Sequence, residues 1–231
     1  MIKKNDSRNR KKTLSQNEKP SFKQSFGFHL ECLNKTQEEA ISTYFNNDLM
    51  FFLGAAGSGK THMAIGLAIQ DLLQNRVESI VITRPVVEAG ESLGYLPGTI
   101  DEKIGPYVAP IYHCIDRIVG KDTIESLKVK SALKIVPLAY MRGLTFLDSV
   151  VIVDESQNCS LMQLKLAITR LGVGSKMILT GDQFQSDLPG KPAIIDLMEK
   201  VGKLDGVGIV RFKEEDIVRH SLVAKILKAI Q

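Results

Sequence analysis

The eight residues Gly54-Ala55-Ala56-Gly57-Ser58-Gly59-Lys60-Thr61 constrain this chain more than any other stretch. They follow the apolar run Leu49-Met50-Phe51-Phe52-Leu53 and precede His62-Met63-Ala64-Ile65-Gly66-Leu67-Ala68-Ile69, so the local order is strand, glycine loop, helix. Glycines let the backbone turn tightly with its N–H groups facing inward. The helix that follows adds four unpaired N–H groups and the positive end of its dipole. Such a loop cradles phosphate. Residues 54–61 then bind a nucleoside triphosphate, Lys60 reaching the β- and γ-phosphates as a point charge and the Thr61 hydroxyl ligating Mg²⁺. A chance glycine-rich turn is the alternative, and it leaves the full pattern between strand and helix unexplained.

A second stretch complements the first. Ser149-Val150-Val151-Ile152-Val153 runs directly into Asp154-Glu155, about ninety residues after the loop. A continuous apolar run ending in paired acids reads as a central parallel strand that delivers carboxylates to its C-terminal edge, where the phosphate loop also sits. There Asp154 would hold Mg²⁺ through its water shell, and Glu155 would take a proton from the attacking water. Alone, an apolar strand ending in Asp-Glu is a weak signal; after a complete phosphate loop it gains weight. Lys176-Met177-Ile178-Leu179-Thr180 reads as a further buried strand that brings Gly181-Asp182-Gln183-Phe184-Gln185 to the same edge. Gln185 is there a candidate to sense the γ-phosphate or orient water, with a plain turn as the competing reading.

Strands and helices alternate along the rest of the chain, which predicts an α/β fold of three layers around a mainly parallel sheet. Thr36 and Glu39 read as a capping box opening a short helix through Tyr44 and Phe45. Gln37, just ahead of the loop strand, is either a reader of the adenine edge through both amide groups or a solvated helix residue. The loop helix is expected to end near Asn75, followed by a buried strand at 79–83. Arg84-Pro85 then leaves the sheet sharply, placing Arg84 on the active edge to meet phosphate or nucleic acid. From Val86 to Pro110, the residues Gly90, Gly94, Pro97, Gly98, Gly105 and Pro106 predict mostly loop with short helical pieces. Further helices are expected at 107–119, 121–130, 161–171 and 194–201, strands at 133–137 and 207–212, and a closing amphipathic helix at 221–230.

Apolar residues make up 44% of 231, enough for a real core, and one domain over 27–231 is the simplest division. Cys32, Cys114 and Cys159 lack metal-ligand or Cys-x-x-Cys spacing and read as reduced thiols. No stretch is long and apolar enough for a membrane span and the N-terminus is too polar for a secretory signal, so a cytoplasmic location is expected. Residues 1–26 carry eight cations (Lys3, Lys4, Arg8, Arg10, Lys11, Lys12, Lys19, Lys23) against Asp6 and Glu18, a net +6 in a chain of net +4. This basic arm reads as disordered when free, and either neutralises nucleic-acid phosphates or serves as a solubilising tail.

Taken together, these residues resemble the PhoH family, whose ATPase domain is similar to the first motor domain of superfamily 1 helicases. The resemblance covers Leu33 to the C-terminus. The run Thr83-Arg84-Pro85-Val86-Val87-Glu88-Ala89-Gly90-Glu91-Ser92-Leu93-Gly94-Tyr95-Leu96-Pro97-Gly98 is similar to the family's segment after the second strand, and Pro137-Leu138-Ala139-Tyr140-Met141-Arg142-Gly143 to another of its blocks. Asp154-Glu155-Ser156-Gln157-Asn158 resembles its DEAQN motif with serine in place of alanine. Thr169-Arg170-Leu171-Gly172, Gly181 to Gln185 and Val218-Arg219-His220 resemble its later motifs. The resemblance implies a RecA-like P-loop fold, ATP hydrolysis with Mg²⁺ and a role in RNA handling, helicase-like activity included, in a bacterium or a phage-infected one. Two departures stand out: Leu144 occupies a position where the family has arginine, and Gly190-Lys191-Pro192 replaces its serine-glycine-leucine. Neither touches the phosphate or magnesium residues.

Helicases of the resembled superfamily close the nucleotide between two motor domains, the second supplying an arginine, whereas this chain reads as one such domain. A homo-oligomer is therefore expected, a hexameric ring being one form, with Arg142, Arg170 or Arg219 as the arginine finger. Taken singly, each of these also reads as a surface ion-pair residue. An ATPase acting on or stimulated by RNA or single-stranded nucleic acid is the leading expectation. A nucleotide-gated RNA- or protein-binding module with slow hydrolysis is the alternative. A small-molecule kinase fits less well, because Asp154-Glu155 and Gln185 suit a water nucleophile. Deleting residues 1–24 is expected to weaken nucleic-acid binding and flatten the slope of log affinity against log salt, and an unchanged slope would leave the arm a solubilising tail.

Overall fold

Side-chain alternation along the strands decides the layering. In β1 (Leu49–Gly54), Met50 and Phe52 enter one hydrophobic core while Leu49, Phe51 and Leu53 enter the other. A strand buried on both faces must lie inside a sheet with helices on each side, as the continuous apolar run predicts. The computed structural model describes residues 30–85, 100–183 and 185–216. The basic arm, residues 86–99, Phe184, Val218-Arg219-His220 and the expected helix at 221–230 lie outside the described residues.

The elements follow in the order α1 (Lys35–Asn46), β1, α2 (Lys60–Leu73), β2 (Ser79–Thr83), α3 (Ile100–Val119), α4 (Lys121–Val129), β3 (Leu133–Ile135), β4 (Ser149–Val153), α5 (Leu161–Ile168), β5 (Lys176–Gly181), α6 (Ala193–Val201) and β6 (Val207–Phe212). The strands form one sheet in the order β3-β2-β4-β5-β1-β6, and every pairing is parallel. Parallel pairing puts the C-terminal ends of β1, β4 and β5 on a single edge. β5 lies between the other two, with Thr180 level with Phe52 of β1 and Leu179 level with Val153 of β4. On one face α2 is buried nearly all round, Met63, Ile65, Leu67, Ile69 and Leu72 included, because α1 and α3 pack beside it. On the other face Leu164, Ile194, Leu197 and Met198 of α5 and α6 cover Phe51, Val151, Val153 and Leu179.

Four local expectations are corrected. Asn34, not Thr36, caps α1: its side chain accepts from Gln37 N–H at 2.9 Å, and Thr36 is buried in the first turn. α3 begins at Ile100 and runs through Pro106 and Pro110, where glycine and proline predicted loop. Packing of Ile111 and Ile115 into the core under α3 outweighs the propensity cost. β3 is shorter than expected, ending before Pro137, which cannot donate to a ladder and instead precedes a 3₁₀ turn at Leu138–Met141. α5 stops at Ile168 because Leu171 leaves to form a bridge with Phe146.

One polar cluster ties α1 to α2 inside the core. Tyr44, fully buried, donates through its hydroxyl to Asp71 Oδ2 at 2.5 Å, and Arg76 Nε donates to Asp71 Oδ1 at 2.7 Å. Burial, then the Asp71 carboxylate, push the Tyr44 phenol far above its ordinary range, so it stays a donor. Asp71→Ala leaves that hydroxyl buried without its acceptor and is expected to cost about 1–3 kcal/mol. Tyr44→Phe leaves Asp71 paired with Arg76 and is expected to cost less, about 1 kcal/mol. Urea unfolding of the two variants checks the order.

Candidate nucleotide-binding site

The glycine loop takes the backbone shape its sequence allows. Gly57 and Gly59 have φ of 85° and 91°, a region L-residues avoid, and Gly59 caps α2. Left-handed residues among ordinary ones turn successive N–H groups into a concavity that suits an anion, and the first turn of α2 adds its own. Three contacts hold the loop. Lys60 Nζ donates to the Ala55 carbonyl at 2.7 Å, Ser58 Oγ donates to the same oxygen at 2.8 Å, and Ala56 N–H donates to Asp182 Oδ2 at 3.0 Å. Gln37 is buried against this loop, its Nε2 only 3.4 Å from where a Cβ on Gly59 would stand. That excludes the solvated reading of Gln37. Its Oε1 accepts from Leu33 N–H at 2.8 Å, which fixes the orientation of the amide.

The acidic strand arrives at the same place. Thr61 Oγ1 and Thr180 Oγ1 each donate to Asp154 Oδ1 at 2.7 Å, joining the start of α2, the end of β5 and the residue after β4. Two hydroxyls and a carboxylate are hard oxygen donors of the kind Mg²⁺ takes, together with water and phosphate oxygens. The donor set and the glycine concavity therefore fit a magnesium–nucleotide, with Thr61 and Asp154 the residues that would hold the metal. Glu155 adopts a left-handed backbone, φ 53° and ψ 39°, and its side chain is 37% exposed. Gln157 Nε2 donates to its Oε2 at 2.6 Å, and Arg84 Nη2 stands 3.5 Å from its Oε1. Arg84 is thus engaged with the carboxylate rather than extended into solvent. Ser156, the residue in place of alanine, is fully buried and donates to the Thr180 carbonyl at 2.5 Å, so its hydroxyl is satisfied.

Gln185 is exposed on the segment after β5. That segment is tied to the acid turn by Asn158, which donates to Asp187 Oδ2 at 2.6 Å and accepts from Asp187 N–H at 2.8 Å. The arginines fall elsewhere. Arg170 donates to the Leu144 carbonyl at 3.0 Å and to Thr169 Oγ1 at 3.1 Å, and its own carbonyl accepts from Phe146 N–H just before β4 begins. This is the N-terminal edge of the sheet, opposite Asp154. Arg142, two residues before Leu144, is exposed on the same connection, and Arg219 lies outside the described residues. Thr180, Asp182 and Gln157 escaped the sequence reading as site residues. Thr180 is a single hydroxyl ending an apolar strand, while Gln157 and Asp182 stood in motifs quoted for the family resemblance without a role assigned to them. A cavity of about 900 Å³ lies away from the loop, between α3, α4 and the end of β3, with Tyr112, Ile124 and Tyr140 in its walls.

Cys114 on α3 lies beside α2, its Sγ 4.0 Å from His62 Nδ1. Burial, then the Asp154 charge, push its thiol up to about 11. Burial, then Arg117, lower the His62 imidazole, which favours its neutral form. Because only thiolate reacts, Cys114 is expected to alkylate about 10²-fold more slowly than an unperturbed thiol at pH 8, and to accelerate as pH rises toward 11. Asp154→Asn removes one of the two causes and should speed labelling at fixed pH, measured by mass spectrometry of the Cys114 peptide.

The profile of the PhoH-like protein family matches residues 29–231. The PhoH-like protein of Bacillus subtilis (strain 168) is 45% identical over 195 residues, covering 84% of this chain and 61% of its own. Protein PhoH of Escherichia coli (strain K12) is 40% identical over 200 residues, covering 85% of this chain and 56% of its own. The chain therefore spans about three-fifths of the length of these curated relatives. Among solved structures, the large terminase of the thermophilic bacteriophage D6E superposes with a TM-score of 0.52 at 12% identity, over 87% of this chain and 51% of that one. At such identity the likeness speaks to the fold alone, a RecA-like P-loop architecture. The family match extends over residues 29–231, most of the chain, and the chain belongs to the PhoH-like protein family.

Proposed function

We propose that this chain hydrolyses ATP with Mg²⁺ and acts on, or is stimulated by, RNA or single-stranded nucleic acid. The observation that carries the hydrolytic half is the meeting of Thr61, Asp154 and Thr180 on one carboxylate oxygen, beside the Lys60 loop and within one residue of Glu155. In this reading the backbone of residues 54–61 receives the phosphates, Lys60 neutralises the β- and γ-phosphates, and Gln37 meets the adenine with its Nε2. When bound, Mg²⁺ supplies charge neutralisation at the transferring phosphoryl group. Glu155 takes the proton of the attacking water, its exposed side giving that water access. Gln185 orients the water or senses the γ-phosphate.

Residues 27–231 act in this reading as a single ATPase domain, with residues 1–26 as a basic arm for nucleic-acid phosphates. Arg84 is a second contact: its ion pair with Glu155 is 3.5 Å long and partly exposed, so a nucleic-acid phosphate can compete for it. Arg170, on the edge away from Asp154, serves as a finger only toward the nucleotide of a neighbouring copy in a homo-oligomer, and Arg142 and Arg219 are the other candidates for that role. Turnover measured with and without single-stranded RNA, on the wild type, Lys60→Ala and Glu155→Gln, tests the whole. Lys60→Ala is expected to lose tight triphosphate binding. Glu155→Gln is expected to bind ATP and lose turnover by about 10²-fold or more. Equal turnover in Glu155→Gln and wild type, or no response to RNA, removes the corresponding half of the proposal.

A further inference from the structure

A continuous hydrogen-bonded path crosses the C-terminal edge of the sheet, and the roles assigned above leave its middle unused. Ala56 N–H donates to Asp182 Oδ2 at 3.0 Å, Asp182 N–H donates to Gln157 Oε1 at 3.0 Å, and Gln157 Nε2 donates to Glu155 Oε2 at 2.6 Å. Arg84 closes the far end against Glu155 Oε1. The path starts on the phosphate loop and passes the ends of β5, β4 and β2 in the order the sheet imposes. Gln157 is its central link and is only 4% exposed, so water does not replace either of its bonds. An amide gives and takes at once, its carbonyl accepting an N–H while its NH₂ donates to a carboxylate. Leucine in its place would leave the Asp182 N–H without its acceptor and the Glu155 carboxylate without the donor that aims it, and glutamate would set one carboxylate against another.

The backbone of Glu155 supplies an independent observation. A left-handed φ of 53° in a residue with a long side chain costs about 1–3 kcal/mol and persists only where the surroundings over-determine it. Asn158 N–H, donating to the Glu155 carbonyl at 3.0 Å, and the buried Ser156 hydroxyl fix the turn itself. The Gln157 amide fixes where the carboxylate points.

We infer that Gln157 is a positioning residue: through Asp182 it registers the phosphate loop, and through Nε2 it aims the Glu155 carboxylate at the water to be activated. This rests on Glu155 acting as the base, as proposed above. Gln157 acts through Glu155 and not on the nucleotide, so it governs turnover and leaves affinity alone. The test combines steady-state ATP hydrolysis with equilibrium binding of a fluorescent ATP analogue. Gln157→Leu is expected to lower kcat by about 10²-fold, the loss that a misplaced catalytic group brings, with the dissociation constant unchanged. Asp182→Ala is expected to lower kcat as well. Because both cut one path, the double variant should lose no more than Gln157→Leu alone.

If the wild type turns over and Glu155→Gln does not, three results overturn the inference while the proposed activity stands: wild-type kcat in Gln157→Leu, a parallel loss of affinity and kcat, or a double variant whose loss is the product of the two single losses. A wild type that binds ATP without hydrolysing it overturns both. Should Gln157→Leu show no cooperative melt, the nearly isosteric Gln157→Glu is scored by the same criteria.

Discussion

Asp154 Oδ1 receives two hydroxyl hydrogens, one from the first turn of α2 and one from the end of β5, and on this junction the geometry of the site turns. Charge-assisted hydrogen bonds of 2.7 Å to a buried carboxylate are strong, and the low local dielectric strengthens them further. They are available only because three chain segments, far apart in sequence, end at one edge. That in turn requires β1, β4 and β5 to run the same way, and the all-parallel pairing with its double cover of helices meets the requirement.

The parts of the fold that were legible in the sequence are those where one physical signal dominates. Ser149–Val153 is apolar without a break because β4 is buried on both faces, and the break at Asp154 is where the sheet ends. The glycine loop was legible because its backbone shape needs residues without a Cβ. α3 was obscured at its start because Gly105, Pro106 and Pro110 are strong local signals, while the countervailing force, Ile111 and Ile115 entering the core, is a tertiary effect. The cap of α1 was placed two residues late for a related reason: Asn34 and Thr36 both suit the position, and only packing of Thr36 decides between them.

At the site, Lys60, Thr61, Asp154 and Glu155 could be named from the sequence because their types and positions announce a chemistry, whereas Asp182 and Gln157 stood in quoted motifs with no role attached. Asp182 matters because its carboxylate meets the Ala56 amide across the sheet, and Gln157 because its amide lies between two groups that need opposite halves of it. Neither relation has a spacing rule in one dimension. The placement of the arginines is a relation of the same sort: nothing near Arg170 in sequence tells that Leu144 and Phe146 will anchor it at the edge away from the acids.

The position of β5 between the loop strand and the acid strand has a consequence for how this chain can change over time. Its Met177, Ile178 and Leu179 are ordinary core residues, open to exchange among similar volumes. Its length is not open in the same way. Strand side chains alternate, so adding or deleting one residue would turn the Thr180 hydroxyl to the opposite face and carry Asp182 out of reach of the loop. Drift in composition with a frozen tally of residues is the signature this spacer should leave among distant descendants.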